Sequence, residues 1–216
     1  MQLAARTAAW AKAGGPTPPA YGGLCFTAEA VNSSVQLTAV GSAPAVTLIK
    51  SFDGVNWEDY TVGEVIELPS IGDFVYLAAG EGGNETFGSS TSNYHKFVIN
   101  GLVAASGDIT SLRNFDLAQT TLSVFCYSSM FQGCTGLTSA PELPATTLSK
   151  NCYHSMFKGC TSLSLIKVYL ISWGGGNTTD WLNNVSPTGT FYKPRALPEE
   201  YGANNIPTGW TVVNID

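Results

Sequence analysis

In CYSSMFQGCTGLTSAPELPATTLSKNCYHSMFKGCTSL, Cys126 to Leu163, one motif is written twice. Cys126 recurs as Cys152, Tyr127 as Tyr153 and Met130-Phe131 as Met156-Phe157. Gly133-Cys134-Thr135 recurs as Gly159-Cys160-Thr161 and Leu137 as Leu163, every pair 26 residues apart. A fixed period in the twenties, with leucines at fixed places, predicts a solenoid in which each repeat stacks on the next. Pro141 and Pro144 keep TSAPELP extended. Cys126, Met130 and Cys134 step by four, which predicts a short helix with all three on one face, ended by Gly133 in one copy and Gly159 in the other. One rung cannot bury enough surface alone, so at least three are expected. Residues 107–125 read as a degenerate first rung, because Thr120-Thr121-Leu122 aligns with Thr146-Thr147-Leu148 at the same offset.

Upstream, residues 21–106 read as an antiparallel β-sandwich of about seven strands. LCFTAEA (Leu24 to Ala30) and SVQLTAV (Ser34 to Val40) alternate apolar and polar residues. AVTLIK, EVIEL, DFVYLAAG and HKFVING follow, and Asp53-Gly54 in SFDGVNWEDYTV is a hairpin turn signal. Gly80 to Asn93 reads as a long loop, either a binding loop or an exposed hairpin tip. Downstream, Leu165 to Val168 reads as a last strand and Thr179-Asp180-Trp181-Leu182 as a short capped helix. The remainder, 169–216, is expected to be an irregular cap, with Trp173, Trp181, Tyr192 and Trp210 packing it rather than forming a sugar-stacking platform. With so few rungs, the β-sandwich and the cap must both act as lids, and the three parts are expected to form one body.

Residues 1–20 stand apart. Leu3, Thr7 and Trp10 share one face of an Ala-rich stretch that stops at Gly14-Gly15, before Pro16, Pro18 and Pro19. A helix that short is marginal alone in water. A weakly stable segment with Leu3, Arg6, Trp10 and Lys12 and no acid is expected to dock onto something else. It has no continuous apolar run of the signal-peptide kind. Either a signal has been removed or another route is used, and Met1 favours the second.

Charged residues are only 12 % of the chain, about half the usual share, against 44 % hydrophobic. The surface must be coated with Ser, Thr, Asn and Gly. The net charge is −6, with nine acids against Lys50 and Lys96 in residues 21–103. No basic stripe suits nucleic acid, and no apolar run reaches the roughly 20 residues of a membrane-spanning helix. Four of the five cysteines belong to the repeat. They read as small buried apolar residues or as rung-to-rung disulfides, which need Cα atoms within about 7 Å.

Recognisable catalytic chemistry is sparse. His95 and His154 fit no triad and no zinc pattern. Gly174-Gly175-Gly176 lacks the Lys-Ser/Thr of a phosphate loop. Glu199-Glu200, being adjacent, point apart in an extended chain. Asp53, Asn56, Glu58 and Asp59 lack the spacing of a calcium loop and read as a solvated hairpin. No cofactor and no metal is expected, and the chain does not read as an enzyme.

The motif CYxxMFxGCTxLTxAPELPATTL, with GTFYKP, LPEEYG and IPTGW closing the chain, resembles the BspA-like leucine-rich repeat family of gut Bacteroidetes and their phages. SFDGVNWEDYTVGEVIEL resembles the module that accompanies those repeats, and the likeness covers roughly residues 22–216. The chain departs from the family in having very few repeats. The leader ARTAAWAKAGG resembles leaders of Bacteroides phage-like proteins with unrelated bodies, which implies an attachment tag.

The expectation is therefore a mixed β and α/β chain. A docking leader and linker (1–20) is followed by an Ig-like antiparallel β-sandwich (21–106), a short leucine-rich-repeat solenoid (107–168) and an irregular C-terminal cap (169–216). The resemblance implies a non-catalytic virion protein: a head fibre, capsid decoration or tail adhesin. Residues 1–15 would engage a capsid or tail protein, and the body would bind host-surface glycan or protein. The alternative is a leucine-rich-repeat adhesin on the bacterial cell surface. A homo-oligomer, dimer or trimer, is expected in the virion case.

Overall fold

The computed structural model describes residues 21–117 and 121–215. They are nearly all β, and the only helix among them is a 3-10 turn at Ile109–Leu112. The expected α/β component is therefore absent from the described residues.

The antiparallel strands follow the alternation in the sequence. They are β1 (Cys25–Ala28), β2 (Ser33–Val40), β3 (Leu48–Ser51), β4 (Glu58–Tyr60), β5 (Val65–Leu68), β6 (Phe74–Ala79), β7 (Tyr94–Asn100) and β8 (Val103–Ser106). Three of them form a small antiparallel sheet in the order β5-β2-β7. The others belong to a nine-stranded sheet that also takes in β9 (Leu137–Ser139), β10 (Leu165–Lys167), β11 (Thr190–Pro194) and β12 (Thr211–Ile215), in the order β12-β11-β10-β9-β8-β1-β6-β3-β4. Val35, Leu37, Phe97 and Ile99 of the small sheet, Phe26, Val75 and Leu77 of the large one, and Leu24 just before β1 share one apolar core. The rings of Phe26 and Phe97 meet at 4.9 Å.

Strand β8 joins the two halves. It pairs antiparallel with β1 on one side and parallel with β9 on the other. All four of its residues, VAAS, are buried, as expected of a central strand covered on both faces. From β9 onward the ladder is parallel through β10, β11 and β12. Leu165–Val168 is thus not the last strand, and the stretch expected to be an irregular cap supplies two more.

The segments that link the parallel strands are not helices, contrary to expectation. Phe125, Ser129 and Gly133 have φ of 58°, 58° and 78°, and Asn151, Ser155 and Gly159 have 56°, 52° and 79°. A right-handed helix cannot contain a left-handed residue at every fourth position. The backbone instead runs as linked turns. Cys126, Ser128, Met130, Gln132 and Cys134 each donate to the carbonyl three residues back. The intervening amides of Phe125, Tyr127, Ser129, Phe131 and Gly133 donate to carbonyls of the next rung, from Lys150 to Lys158. An α-helix would keep these amides for itself and leave nothing to tie rung to rung. The step of four seen in the sequence is real, and Cys126, Tyr127, Met130, Phe131 and Cys134 are all buried.

A third rung repeats the geometry without the motif. Gly176, Asp180 and Asn184 have φ of 85°, 55° and 59°, and the Tyr153, Ser155, Phe157 and Gly159 amides donate to the carbonyls of Asn177, Thr179, Trp181 and Asn183. Thr179 to Leu182 is accordingly a turn of this rung and not the expected capped helix.

Two columns of rings run through the rungs. Phe87, Tyr127, Tyr153 and Trp181 stack at 6.1, 6.4 and 6.1 Å. Phe97, Phe131 and Phe157 stack at 5.1 and 5.2 Å. Each column starts in the antiparallel half, so its core and that of the rungs are continuous. All five cysteines are free and buried, which decides against rung-to-rung disulfides. The thiols of Cys134 and Cys160 donate to the carbonyls of Phe97 and Phe131, at 3.1 and 2.9 Å.

Candidate functional site: the Trp57 hairpin

Between β3 and β4 the stretch SFDGVNW makes a tight turn that consumes its own polar groups. Asp53 Oδ1 accepts from the amides of Val55 and Asn56 at 2.8 and 2.7 Å, and its Oδ2 accepts from Asn56 Nδ2 at 2.6 Å. The Ser51 hydroxyl donates to Asp53 Oδ1 at 3.0 Å. Gly54, at φ 76°, supplies the left-handed step. The Asn56 amide above all, then that of Val55, holds the Asp53 carboxyl well below the usual carboxylate range. Among the described residues no group of three or more His, Cys, Asp or Glu side chains is placed to hold a metal ion.

The turn delivers Trp57 to the face of the large sheet that points away from the core. Tyr60 goes inward, where its hydroxyl accepts from the Leu37 amide at 2.8 Å and donates to the Glu64 carbonyl at 2.9 Å. Trp57 meets Tyr21 at 5.0 Å and Phe115 at 5.1 Å, standing nearly perpendicular to both. Tyr21 and Phe115 stack on each other at 5.0 Å, and the Tyr21 hydroxyl donates to the Phe115 carbonyl at 2.9 Å. Burial, followed by the carboxylates of Asp108 and Asp116, pushes the Tyr21 phenol up. Tyr76 lies beneath, fully buried, and touches Tyr21 at 5.6 Å and Phe74 at 5.8 Å.

This aromatic strip is flanked by exposed apolar residues. Val55 at the turn is 77 % exposed, Phe52 49 % and Phe115 37 %. Beyond Phe74 a shallow groove of about 310 Å³ is lined by Phe52, Leu68, Pro69 and Phe74 with the carboxylates of Glu67 and Asp73. A second exposed apolar group, Val31, Ile71 and Leu102, lies on three turns tied together by bonds such as Asn32 N–H to Pro69 and Glu29 N–H to Leu102.

The tryptophans separate cleanly. The indole N–H groups of Trp173, Trp181 and Trp210 donate to the carbonyls of Pro198, Asn205 and Ser186 at 3.0, 3.0 and 2.8 Å. All three are buried, as packing residues should be. Trp57 is half-buried, and its indole N–H makes no hydrogen bond among the described residues.

Of the positions singled out by sequence, Asp53, Asn56, Glu58 and Asp59 belong to this hairpin. Leu3, Arg6, Trp10 and Lys12 lie outside the described residues. The Gly80–Asn93 loop is not simply an exposed tip: Asn84 and Phe87 are buried, and Asn84 Nδ2 donates to Leu112 and Thr47 carbonyls at 2.7 and 2.9 Å. His95 is buried with Nδ1 3.2 Å from the Phe87 carbonyl, and burial lowers its pKa. Glu199 faces Lys193 at 3.8 Å, whereas Glu200 accepts from Asn205 Nδ2 at 3.3 Å, so the two do not act as a pair. Sequence reasoning passed over Trp57, because its neighbours Tyr21 and Phe115 are far away in the chain. No family model, curated protein or solved structure matches the chain.

Proposed function

We propose that the chain is a non-catalytic virion component, a head fibre, capsid decoration or tail adhesin, held to the particle by residues 1–15. In this assignment residues 21–106 are an Ig-like sandwich and residues 107–168 a short leucine-rich-repeat solenoid of the BspA-like kind. They are displayed together to bind a host surface. The observation that supports it most is the continuous core, in which Phe87 and Phe97 begin the ring columns that Trp181 ends. A tag at one end then displays everything beyond it as one body. The basic, acid-free leader and the neutral polar surface are in keeping with a docking tag and an exposed body.

Deletion of residues 1–15 tests the assignment. The shortened protein is expected to stay folded and soluble but to be lost from purified particles. Full incorporation of the shortened protein contradicts the assignment. Recovery of the intact protein from the envelope of uninfected cells, with none on particles, selects the cell-surface adhesin instead.

A further inference from the structure

We propose that the Trp57 cluster is a binding platform for a neutral pyranose unit of a surface glycan, an inference that rests on the chain being a displayed surface-binding protein. Pyranoses present a face of C–H groups that packs on aromatic rings, and a rim of hydroxyls that needs donors and acceptors. Trp57 offers both parts of that chemistry. Its ring belongs to a partly exposed cluster with Tyr21 and Phe115. Its N–H has no partner among the described residues, while those of Trp173, Trp181 and Trp210 are each spent on a backbone carbonyl. Tyr and Trp suit such surfaces because one end is apolar and the other is polar.

The turn that carries Trp57 is already ordered by Asp53 and Gly54, so little entropy is lost when a ligand arrives. The electrostatics select the class of sugar. The Asp116 carboxylate acts on Tyr21, and Asp53, Glu58 and Asp59 belong to the hairpin itself. Among the described residues, the cations of the strand before the turn and of the segment before Phe115 are engaged. Lys50 pairs with Glu58 and Glu64, and Arg113 donates Nε and Nη1 to the carbonyls of Glu85 and Thr121. Sialylated or sulfated glycans meet like charge here, whereas neutral hexoses find acceptors for their hydroxyls.

The test uses the full chain on immobilised neutral oligosaccharides ending in galactose, mannose or N-acetylglucosamine, beside sialylated and sulfated counterparts. Binding to at least one neutral probe is expected, with the anionic counterpart weaker. Trp57→Ala is expected to weaken binding about tenfold or more, as loss of an aromatic anchor does. Trp57→Phe keeps a ring and removes the N–H, and about threefold weakening at an unchanged melting temperature is expected from the loss of one hydrogen bond. If Trp57→Ala does not fold, Trp57→Phe decides the matter. Absence of binding to every neutral probe at millimolar concentration, a preference for the anionic probes, or unchanged affinity in Trp57→Phe overturns the proposal. Loss of particle incorporation is measured separately, so a protein absent from virions that still binds sugar through Trp57 refutes the virion assignment alone.

Discussion

The twin rungs at 126–163 and the hairpin at 51–60 spend their polar groups differently. In the rungs backbone amides alternate between a bond three residues back and a bond to the next rung, and Tyr127 and Phe131 are covered on both faces by other rings. In the hairpin Asp53 and Tyr60 are just as fully engaged, but Trp57 is only half-buried and its N–H has no partner among the described residues. Repetition in this chain marks scaffold, and leftover bonding capacity marks the site proposed for a ligand.

The sharpest way to break this contrast is to open the scaffold. Phe157→Ala removes a fully buried ring that stacks on Phe131. A loss of about 3–5 kcal/mol of unfolding free energy is expected in denaturant titrations. Trp57→Ala, by contrast, should change stability far less than it changes sugar binding.

The turn geometry predicts a smaller effect. Asn151 sits at φ 56°, where Asn is tolerated and a β-branched residue is strained. Asn151→Val should cost about 1–2 kcal/mol, and Asn151→Gly should be close to neutral in the same titration. Equal effects of the two would mean that the segment is helical after all.

Tyr153 probes the single polar flaw in its column. The Tyr127 hydroxyl donates to the Ile109 carbonyl at 3.4 Å, while the buried Tyr153 hydroxyl has no partner among the described residues. Removing an unsatisfied hydroxyl relieves its desolvation cost, so Tyr153→Phe should stabilise the fold by about 1 kcal/mol. Tyr127→Phe should not.

The smallest effect concerns the tie between the second and third rungs. Lys158 Nζ lies 2.8 Å from Asp180 Oδ2, and this bond lowers the Asp180 pKa below its usual 3.8. A depressed carboxylate adds stability above pH 3.8 that is lost as pH falls through the lower folded value. Both side chains are over a third exposed, so the change is about 0.5 kcal/mol or less. It should vanish in Asp180→Asn and shrink in high salt, as thermal melts between pH 2 and pH 6 will read.

Much of this was legible in the sequence. The period of 26 recurs in amide bonds such as Tyr127 N–H to the Cys152 carbonyl, alternation placed β1 and β2 to within a residue or two, and EVIEL fell on β5. Over nine residues, however, a step of four is too close to 3.6 to separate turns from helix. Nothing in the residue types of Phe125 or Ser129 advertises a left-handed backbone. The third rung, GGGNTTDWLNN, shares almost no side chain with CYSSMFQGC, yet it accepts the same pattern of amide hydrogen bonds from the rung before it. Trp57 was invisible for a related reason. Its surroundings are assembled from Tyr21, Tyr76 and Phe115, and only the fold brings them together.

One apolar core runs from the antiparallel strands through the rungs to β12. Native-state hydrogen exchange on the unmodified protein and on Phe157→Ala tests it directly. The amides of β2 and β7 and those of β11 and β12 should exchange with the same free energy of opening, and Phe157→Ala should lower both sets equally. Loss of protection in β10 to β12 alone, with β2 and β7 unchanged, would contradict it.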